Sequence, residues 1–395
     1  MTAHRFLETH PWLTFELDLN RLNYKTWLLL GEAGSKCEHV AGVPLTPSVA
    51  KTLHEVYLSK GIHGTASIEG NTLSEEEVQK RIGGDLPLPQ SQAYLGKEID
   101  NIVEVCNRVV ERVIADDKAG ISVGVIKEYN RSILEGLPLK PDVTPGQIRK
   151  HSVTVGLSSY RGAPAADCEM LLEKLVDWLN SLQAPRDCPE LAFPLAVLKS
   201  ILAHLYIAWI HPFGDGNGRT ARLVEFQLMI EAGAPVPAAH LLSDHYNRTR
   251  DAYLVELDRT SREPGFPIEG FIQYALRGFV DELVDQIETI KEQQRHITWI
   301  NYVHDRFHNE ETPAKLRQRL LVLDFPAGET VARAKIPDVS VRIAREYAKT
   351  GDKTLTRDLN ELVRRGLLVR GKGGYRTNHG IIEAFLPATY RGTDD

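Results

Sequence analysis

Apolar residues recur every three or four positions along most of this chain, a spacing that predicts amphipathic α-helices. Residues 47–63 show it, with Val49 and Leu53 on one face, and residues 91–115 repeat it. The same spacing resumes at residue 168 and continues through residue 290. Clusters of glycine and proline separate these segments, so the pattern predicts a mostly helical chain.

Local signals add detail to this pattern. Ser74 and Glu77 have the spacing of a capping box, so a helix should begin just after Ser74. His151 to Val155 is a β-branched run that Gly156 ends, which predicts one short strand and a turn.

The last 85 residues differ from the rest of the chain in charge. Residues 311–395 hold 16 Lys+Arg and 11 Asp+Glu, about +5, so the net charge of −6 leaves about −11 on the remainder. Within them, "TLTRDLNELVRRGLLV" followed by "RGKGGYRTN" resembles the recognition helix and wing of winged helix-turn-helix domains. DNA binding and protein contacts both remain open for this module. Its candidate phosphate contacts are Arg357, Arg364, Arg365, Arg370, Lys372 and Arg376.

Composition and cysteine spacing indicate a soluble protein of a reducing compartment. The 395 residues are 42% hydrophobic and 25% charged, and this length suggests two or three domains. Cys37, Cys106, Cys168 and Cys188 lie far apart, with no C-x-x-C pair. We therefore expect neither a disulfide framework nor a zinc site, and we expect a cytoplasmic protein.

Targeting and membrane signals are weak in this sequence. The first residues lack the basic start and apolar stretch of a signal peptide. The longest apolar run, residues 195–210, is interrupted by Lys199 and His204. We expect it to be too short and too polar to span a bilayer, so no membrane partner is predicted.

The apolar run leads into "HPFGDGNGRTAR", residues 211–222, whose residue types suit phosphate chemistry. Glycine-rich main chain before a helix that begins near Arg219 offers uncovered N–H groups to an anion. Arg219 and Arg222 project from one helix face, and Asp215 is a hard oxygen ligand that suits Mg²⁺. His211 is positioned to take a proton from a hydroxyl. Together these groups predict transfer of a phosphorus group.

Other interpretations of this joint fit less well. Residues 216–221 match the G-x-G-x-x-A dinucleotide fingerprint, but no predicted strand precedes them. The sequence has no G-x-x-x-x-G-K-[ST] phosphate loop. A plain glycine-capped turn between helices would not need the accompanying histidine, aspartate and arginines.

The same stretch resembles the Fic motif, H-P-F-x-[DE]-G-N-G-R-x-x-R, at every defined position. "PGQIRKHSVTVG" is similar to the flap hairpin of that family, and the likeness extends over about residues 50–280. The resemblance implies an all-helical core with a small β-hairpin flap, ATP and Mg²⁺, and transfer of AMP to a protein hydroxyl. Gly218 stands where the kinase-like Doc branch usually carries Lys, which disfavours phosphotransfer.

Carried over position by position, the resemblance assigns roles to the motif. His211 would be the base, Asp215 would hold Mg²⁺, and Phe213 would anchor the loop. Arg219 would hold the β-phosphate of ATP and Arg222 the γ-phosphate. The nucleotide-binding residues would be Val153, Thr154, Val155, Gly156, Gly216, Asn217, Gly218, Arg219, Thr220, Arg222 and Tyr253. Apart from the resemblance, an exposed strand at Val153 to Gly156 suits pairing with an extended segment of the target protein, and an ordinary edge hairpin remains the alternative.

"TASIEG", residues 65–70, resembles the inhibitory motif of the family, [ST]-x-x-x-E-[GN]. Thr65 and Glu69 are four residues apart on one helix face, and Gly70 would end that helix. The resemblance implies that Glu69 pairs with Arg222 and suppresses AMP transfer.

These observations predict four consecutive regions. They are an N-terminal helical region at 1–115 with the inhibitory helix at about 48–70, a Fic catalytic core at 116–283, a connecting helix at 284–310 and a winged helix-turn-helix domain at 311–395. Expected partners are ATP and a target protein, with a homodimer and DNA left open. A nucleotide-sensing transcriptional regulator, a de-AMPylase and another nucleotidyltransferase remain alternatives.

Overall fold

The computed structural model describes residues 5–115, 120–153 and 161–382 of the chain. Its contacts divide the chain into two compact units, Met1–Ile287 and Glu288–Asp395. Each unit is described here by itself.

Helices build the described part of the first unit, which confirms the all-α expectation. They are α1 (Phe6–Thr9), α2 (Tyr24–Gly42), α3 (Pro47–Ser67), α4 (Glu75–Ile82), α5 (Ala93–Ile114), α6 (Val123–Ile133), α7 (Cys168–Ser181), α8 (Ala192–Ile210), α9 (Asn217–Glu231), α10 (Val236–Ala239), α11 (Leu241–Arg248), α12 (Arg250–Arg262) and α13 (Glu269–Arg306). The boundary between the units falls within α13, so the connecting helix expected at 284–310 is the second half of a longer helix.

The centre of the first unit is the pair α8 and α9, which pack against each other. Helix α7 packs on α8, and α5 and α6 pack on α9, so both central helices are enclosed. Apolar side chains therefore occur all round α8, as expected for a helix without a solvent-facing side. The loop between α8 and α9 carries the motif at residues 211–222.

Helix α8 and the turn before it meet the length and hydropathy criteria for a membrane span. Among the described residues, Pro189–Ile210 is long and apolar enough by length and composition alone, with a mean hydropathy of 1.7. This differs from the expectation that the run is too short and too polar. In this fold 61% of the 18-residue window that has this hydropathy is buried within the protein.

Helix α3 approaches α11 closely because two of its residues have no side chain. A Cβ atom at Gly64 would lie 2.5 Å from the main-chain oxygen of Ser243, and one at Gly61 would lie 2.5 Å from the His240 ring. Both distances are shorter than real Cβ contacts allow. These glycines therefore fix how far the end of α3 reaches toward the motif loop.

The local signals are partly confirmed. Ser74 and Glu77 form the expected capping box at the start of α4. The expected strand at His151 to Val155 is not seen at residues 151–153, which have no regular secondary structure. Its remaining residues, and most of the expected flap, fall outside the described ranges.

The second unit combines helices with a hairpin. Its elements after α13 are α14 (Pro313–Asp324), α15 (Val341–Ala348), α16 (Asp352–Arg364), β1 (Leu368–Gly371) and β2 (Gly374–Thr377). The strands are antiparallel, with Leu368 opposite Thr377, and Val331 forms a further bridge to Tyr375. Buried Asp358 accepts hydrogen bonds from Arg317, Gln318 and Tyr347 and so joins all three helices. The winged helix assignment remains a prediction.

Candidate active site

His211 caps the C-terminal end of α8 in an unusual backbone conformation. Its φ of 51° is left-handed, which is uncommon for a residue other than glycine. The main-chain N–H donates to Ile207 O at 2.9 Å, and Arg149 Nε donates to the His211 carbonyl at 2.8 Å. The ring Nδ1 lies 3.3 Å from Ala208 O. If Nδ1 carries the proton and donates there, Nε2 is left as the acceptor.

The environment of His211 keeps its ring neutral near pH 7. Burial lowers its pKa to about 4, against the opposing effects of the Ala208 hydrogen bond and the Glu69 charge. A neutral imidazole is the form that accepts a proton.

The loop after His211 is held by its own side chains. Phe213 is fully buried, and Asn217 brackets it: Phe213 N donates to Asn217 Oδ1 at 2.8 Å, and Asn217 Nδ2 donates to Phe213 O at 2.9 Å. Phe213 therefore anchors the loop as predicted. The Asn217 side chain is occupied by this task, so only its main-chain amide remains for a ligand.

The N-terminus of α9 presents amides that make no bond within the helix. Gly216 precedes the helix with a φ of 74°, and the first bond runs from Thr220 N to Gly216 O at 2.9 Å. The N–H groups of residues 217–219 are therefore the donors that a helix start leaves unused. Helix α9 starts at Asn217, two residues before the predicted position.

Thr220 does not face this group of donors. Its hydroxyl donates to Gly216 O at 2.8 Å and lies 3.3 Å from Asn130 Nδ2, which also donates to Asp215 O at 2.9 Å. Thr220 is fully buried. The structure thus places Thr220, which was predicted to bind nucleotide, within the support of the loop.

Arg222 meets the turn that follows α3. Its Nη2 lies 2.6 Å from Glu69 Oε1 and donates to Thr65 O at 3.0 Å. The Arg222 side chain is only 1% exposed. Its Nε and Nη1 have no hydrogen-bond partner among the residues that the structure describes. Two buried donors therefore remain beside the pair.

Glu69 sits just beyond the helix end rather than within the helix. Helix α3 ends at Ser67, and the next turn closes with Gly70 N bonded to Ser67 O and Asn71 N bonded to Ala66 O. Gly70 has a φ of 104°, so it ends the helix as predicted. Arg250 Nη2 also donates to Ile68 O at 2.9 Å.

The charge state of Glu69 follows from its neighbours. Burial raises the pKa of the Glu69 carboxyl, but the charges of Arg222 and Arg219 and the Arg222 hydrogen bond outweigh burial. The net pKa is lowered, so Glu69 is a carboxylate near pH 7. Its side chain is still 28% exposed.

Gly218 is the residue over which Glu69 lies. A Cβ atom at Gly218 would be 2.1 Å from Glu69 Oε1 and 3.1 Å from Arg222 Nη1. Only glycine at this position leaves room for the carboxylate, so Gly218 and Glu69 are sterically linked.

Arg219 is held by two carboxylates. Its Nη1 lies 2.5 Å from Glu98 Oε1, and its Nη2 lies 3.0 Å from Asp215 Oδ1. Its Nε is buried and has no hydrogen-bond partner within the described ranges. Glu98 comes from α5, and Asn71 Nδ2 donates to its other oxygen at 2.9 Å.

Asp215 is the accessible carboxylate of the site. Its side chain is 43% exposed, and Oδ1 accepts from Gly216 N at 2.5 Å as well as from Arg219. In residues 5–115, 120–153 and 161–382, no group of three His, Cys, Asp or Glu side chains could hold a metal ion by itself. One accessible carboxylate beside an anion site still fits Mg²⁺, which is usually bound by one or two carboxylates together with phosphates.

Tyr253 belongs to a buried aromatic and polar cluster. Its hydroxyl lies 2.9 Å from His204 Nε2, and His204 Nδ1 lies 3.0 Å from Glu225 Oε2. Glu225 Oε1 also accepts from the Tyr246 hydroxyl at 2.9 Å. His204 is thus a core histidine, and the Tyr253 hydroxyl points into the core. Arg222 and Glu69 are close enough to influence the Tyr253 pKa, which burial raises.

The predicted flap is described only at its start. Thr154, Val155 and Gly156 fall outside the described residues. Val153 O accepts from Gly162 N at 3.2 Å, and buried Arg149 donates to the carbonyls of His151 and Ala163. Arg149 therefore ties the start of this segment to His211.

Sequence reasoning missed several residues that shape the site. Asn130, Arg149 and Arg250 bind main-chain oxygens of the motif or of the α3 end, and Glu98 pairs with Arg219. Each is far along the chain from its partner, so no local pattern signals the contact. The apolar face of α5, with Glu98 between Leu95 and Ile99, was the one available sign of a buried carboxylate.

Comparison with known proteins identifies a family match that includes the motif. Residues 120–229 match the Fic/DOC family. The chain is 29% identical over 191 residues to protein adenylyltransferase fic-1 of Caenorhabditis briggsae, covering 48% of this chain and 34% of that protein. It is 30% identical over 186 residues to protein adenylyltransferase Fic of Aedes aegypti, covering 46% and 34%. The chain thus spans about a third of the length of these curated relatives.

Solved structures show the same fold. A Fic family protein from Desulfovibrio desulfuricans G20 has a TM-score of 0.55 at 18% identity, with 90% of this chain and 96% of that chain covered. A fragment of Fic-1 from Caenorhabditis elegans has a TM-score of 0.53 at 21% identity, with 68% and 73% covered.

Proposed function

We propose that this chain, which carries a Fic/DOC family domain in residues 120–229, transfers AMP from ATP to a hydroxyl group of a target protein. The observation that carries the proposal is the set of donors around one loop. Buried N–H groups of Arg219 and Arg222 that have no hydrogen-bond partner among the described residues accompany the first-turn amides of α9, and His211 lies at the other end of the loop. Such a set suits a triphosphate and an incoming hydroxyl.

The reaction forms one bond and breaks one bond at the α-phosphorus. The hydroxyl oxygen of the target attacks this atom, and the bond to the bridging oxygen of the β-phosphate breaks. The hydroxyl proton goes to Nε2 of His211, which the Ala208 contact leaves as acceptor. Pyrophosphate leaves with the negative charge, which Arg219, Arg222 and the α9 amides would stabilise.

Asp215 would hold Mg²⁺ at this site together with phosphate oxygens. Bound there, the ion would neutralise charge on the phosphates. The Asp215 side chain is 43% exposed, so its carboxylate is accessible to such a complex.

Glu69 would keep the wild-type site nearly silent. A carboxylate 2.6 Å from Arg222 Nη2 occupies the charge that would otherwise bind the γ-phosphate. ATP could then enter only with its α-phosphorus poorly aligned for attack. A charge-assisted pair of this kind is worth about 2–3 kcal/mol, enough to suppress turnover roughly 30- to 150-fold.

Intact-protein mass spectrometry tests the proposed reaction. After incubation with Mg²⁺ and ATP, the Glu69→Gly protein should gain the mass of one AMP by self-modification. The matched control, Glu69→Gly with His211→Ala, should gain none although it still binds ATP. The proposal is contradicted if the Glu69→Gly protein transfers no AMP to itself and none to any protein of an added cell extract.

A second candidate function, DNA binding, belongs to the second unit. The outward side of α16 exposes Lys353, Arg357 and Arg364 together with Thr356 and Asn360. Cations for phosphates and polar side chains for base edges on one helix face suit the major groove. This would couple nucleotide chemistry or sensing to transcription.

Salt-dependent anisotropy with a fluorescent DNA duplex tests this second candidate. Replacing Lys353 and Arg357 with alanine should weaken binding and lower the slope against the logarithm of salt concentration by about 2. Replacing Lys36 and Lys51 in the first unit removes the same charge and should have little effect. Equal binding by both double variants would exclude α16 as the contact.

We also propose a cytoplasmic location, because Cys37, Cys106, Cys168 and Cys188 are all free thiols.

A further inference from the structure

Arg219 owes its position to a buried carboxylate outside the residues that match the family. Glu98 on α5 is 7% exposed, and its Oε1 lies 2.5 Å from Arg219 Nη1. The other oxygen accepts from Asn71 Nδ2 at 2.9 Å. Both oxygens of Glu98 therefore have protein partners, and its place is fixed from two sides.

We infer that Glu98 is a positioning residue for AMP transfer. It fixes the Arg219 guanidinium so that Nε, the nitrogen that no carboxylate binds, faces the reacting phosphates. This inference rests on the proposed function. It is supported by the partners of the three guanidinium nitrogens of Arg219. Nη1 is taken by Glu98 and Nη2 by Asp215, while Nε remains a buried donor without a hydrogen-bond partner in the described part of the chain.

Glu98 is less free than Glu69 to move away from its arginine partner. Glu69 lies in a turn after α3, next to Gly70, with 28% of its side chain exposed. Glu98 lies inside a helix of 22 residues that packs on α9. Withdrawal of Glu98 would leave the buried Arg219 guanidinium with Asp215 as its remaining carboxylate partner and would free Nη1, and removing one partner of a buried ion pair is costly. Glu98 therefore stays on Arg219 whether or not Glu69 is in place.

Asn71 holds Glu98 in the orientation that Arg219 needs. Its Nδ2 donates both to Glu98 and to Leu95 O at 3.1 Å, and its Oδ1 accepts from Leu73 N at 3.1 Å. Its main-chain N–H bonds Ala66 O at the end of α3. Residues 69–71 thus bring Glu69 to Arg222 and also support Glu98, the carboxylate that binds Arg219.

The consequence for the reaction is a separation of binding from turnover. Without the Glu98 charge, Arg219 stays near the phosphates and still attracts them, but it is no longer aimed at the charge that develops on the leaving pyrophosphate. Interactions that matter only as this charge develops affect kcat rather than ground-state binding. Loss of one such donor typically costs 10²–10³ in kcat, and a misplaced donor costs less.

The test compares kcat and ATP affinity in the Glu69→Gly background, where transfer is measurable. Adding Glu98→Gln should lower kcat for AMP incorporation about 10- to 100-fold, whereas the calorimetric Kd for Mg²⁺-ATP should change less than about threefold. Asn71→Ala keeps the Glu98 charge and loosens its orientation, so it should lower kcat in the same direction by a smaller factor. It also serves as the second variant if Glu98→Gln does not fold.

Two controls show whether Glu98 acts through Arg219. In a protein that already carries Arg219→Ala, Glu98→Gln should have no further effect on kcat, because the group it positions is gone. Asp100→Asn removes another arginine-paired carboxylate from the same helix, that of the Arg81 pair, and should leave kcat unchanged. Full kcat in the Glu98→Gln protein, or an equal further loss in the Arg219→Ala background, overturns the inference alone. A Glu69→Gly protein without AMP transfer overturns the proposed function and this inference together.

Discussion

At the scale of single residues, Arg222 is the group on which the proposed silent and active states of the site both depend. One of its nitrogens binds the Glu69 carboxylate and the Thr65 carbonyl, and two others are buried without hydrogen-bond partners in the ranges described. A buried guanidinium needs an anion beside it. In the proposed function, exchange of the Glu69 carboxylate for a phosphate would keep the charge of Arg222 compensated, so activation would replace one anion with another.

The low pKa of His211 predicts a simple pH dependence. Burial lowers this pKa to about 4, and the nearby Glu69 charge acts in the opposite direction. Glu69→Gly removes that opposing charge, so the pKa stays well below its usual value of about 6.5. The rate of AMP transfer by Glu69→Gly should therefore be flat between about pH 6 and pH 8 and should fall only as His211 becomes protonated in more acidic buffer.

A pH profile of kcat/KM for the Glu69→Gly protein provides the measurement. A rise with an apparent pKa near 6.5 would show that His211 is not held neutral by burial, and the account of the base would need revision.

At the scale of secondary-structure elements, α3 is the element that delivers Glu69. Gly61 and Gly64 let α3 lie against α11, and the two bonds that close the turn at Gly70 aim Glu69 at Arg222. Arg250 adds a bond to Ile68 O. The proposed inhibition by Glu69 therefore depends on the packing of α3 against α11 as well as on the Glu69–Arg222 ion pair.

Gly64→Ala tests this dependence on packing. The new methyl group would meet the main-chain oxygen of Ser243 at 2.5 Å, so α3 must move away from α11. We expect the free energy of unfolding to fall by about 1–3 kcal/mol and AMP transfer to rise above wild type, though less than with Glu69→Gly.

Thermal unfolding and initial rates measure the two effects. Gly31→Ala in α2 is the matched control, because a Cβ atom there has no heavy atom within 4 Å. An inactive Gly64→Ala protein with wild-type stability would show that the α3–α11 contact does not set the position of Glu69.

The elements and the motif could largely be predicted from sequence, because their signals are local. Periodicity indicated α5, the Ser74–Glu77 spacing indicated the start of α4, and glycine marked the end after α3. The Glu98–Arg219 pair joins residues 121 apart in sequence, and such contacts follow from the packing of α5 on α9. The contact of Thr220 with Asn130 could not be predicted for a related reason: Asn130 lies on α6, far from the motif in sequence.

At the scale of the whole molecule, the candidate site uses more of the chain than the family match covers. The match spans residues 120–229, whereas Glu69, Asn71 and Glu98 lie before it. The residues proposed to bind and react are therefore within the shared domain, and those proposed to control them are outside it. The charge is also divided, with about +5 in residues 311–395 and about −11 in the remainder.

We propose that this chain is an AMP-transferring enzyme that Glu69 keeps nearly inactive. The most direct measurement is the initial rate of α-labelled AMP incorporation by wild type, Glu69→Gly and Arg222→Ala proteins at equal concentration. Glu69→Gly should be roughly 30- to 150-fold faster than wild type. Arg222→Ala should stay slow, because it removes both the partner of Glu69 and the side chain proposed to bind the γ-phosphate. A Glu69→Gly protein no faster than wild type would contradict the account.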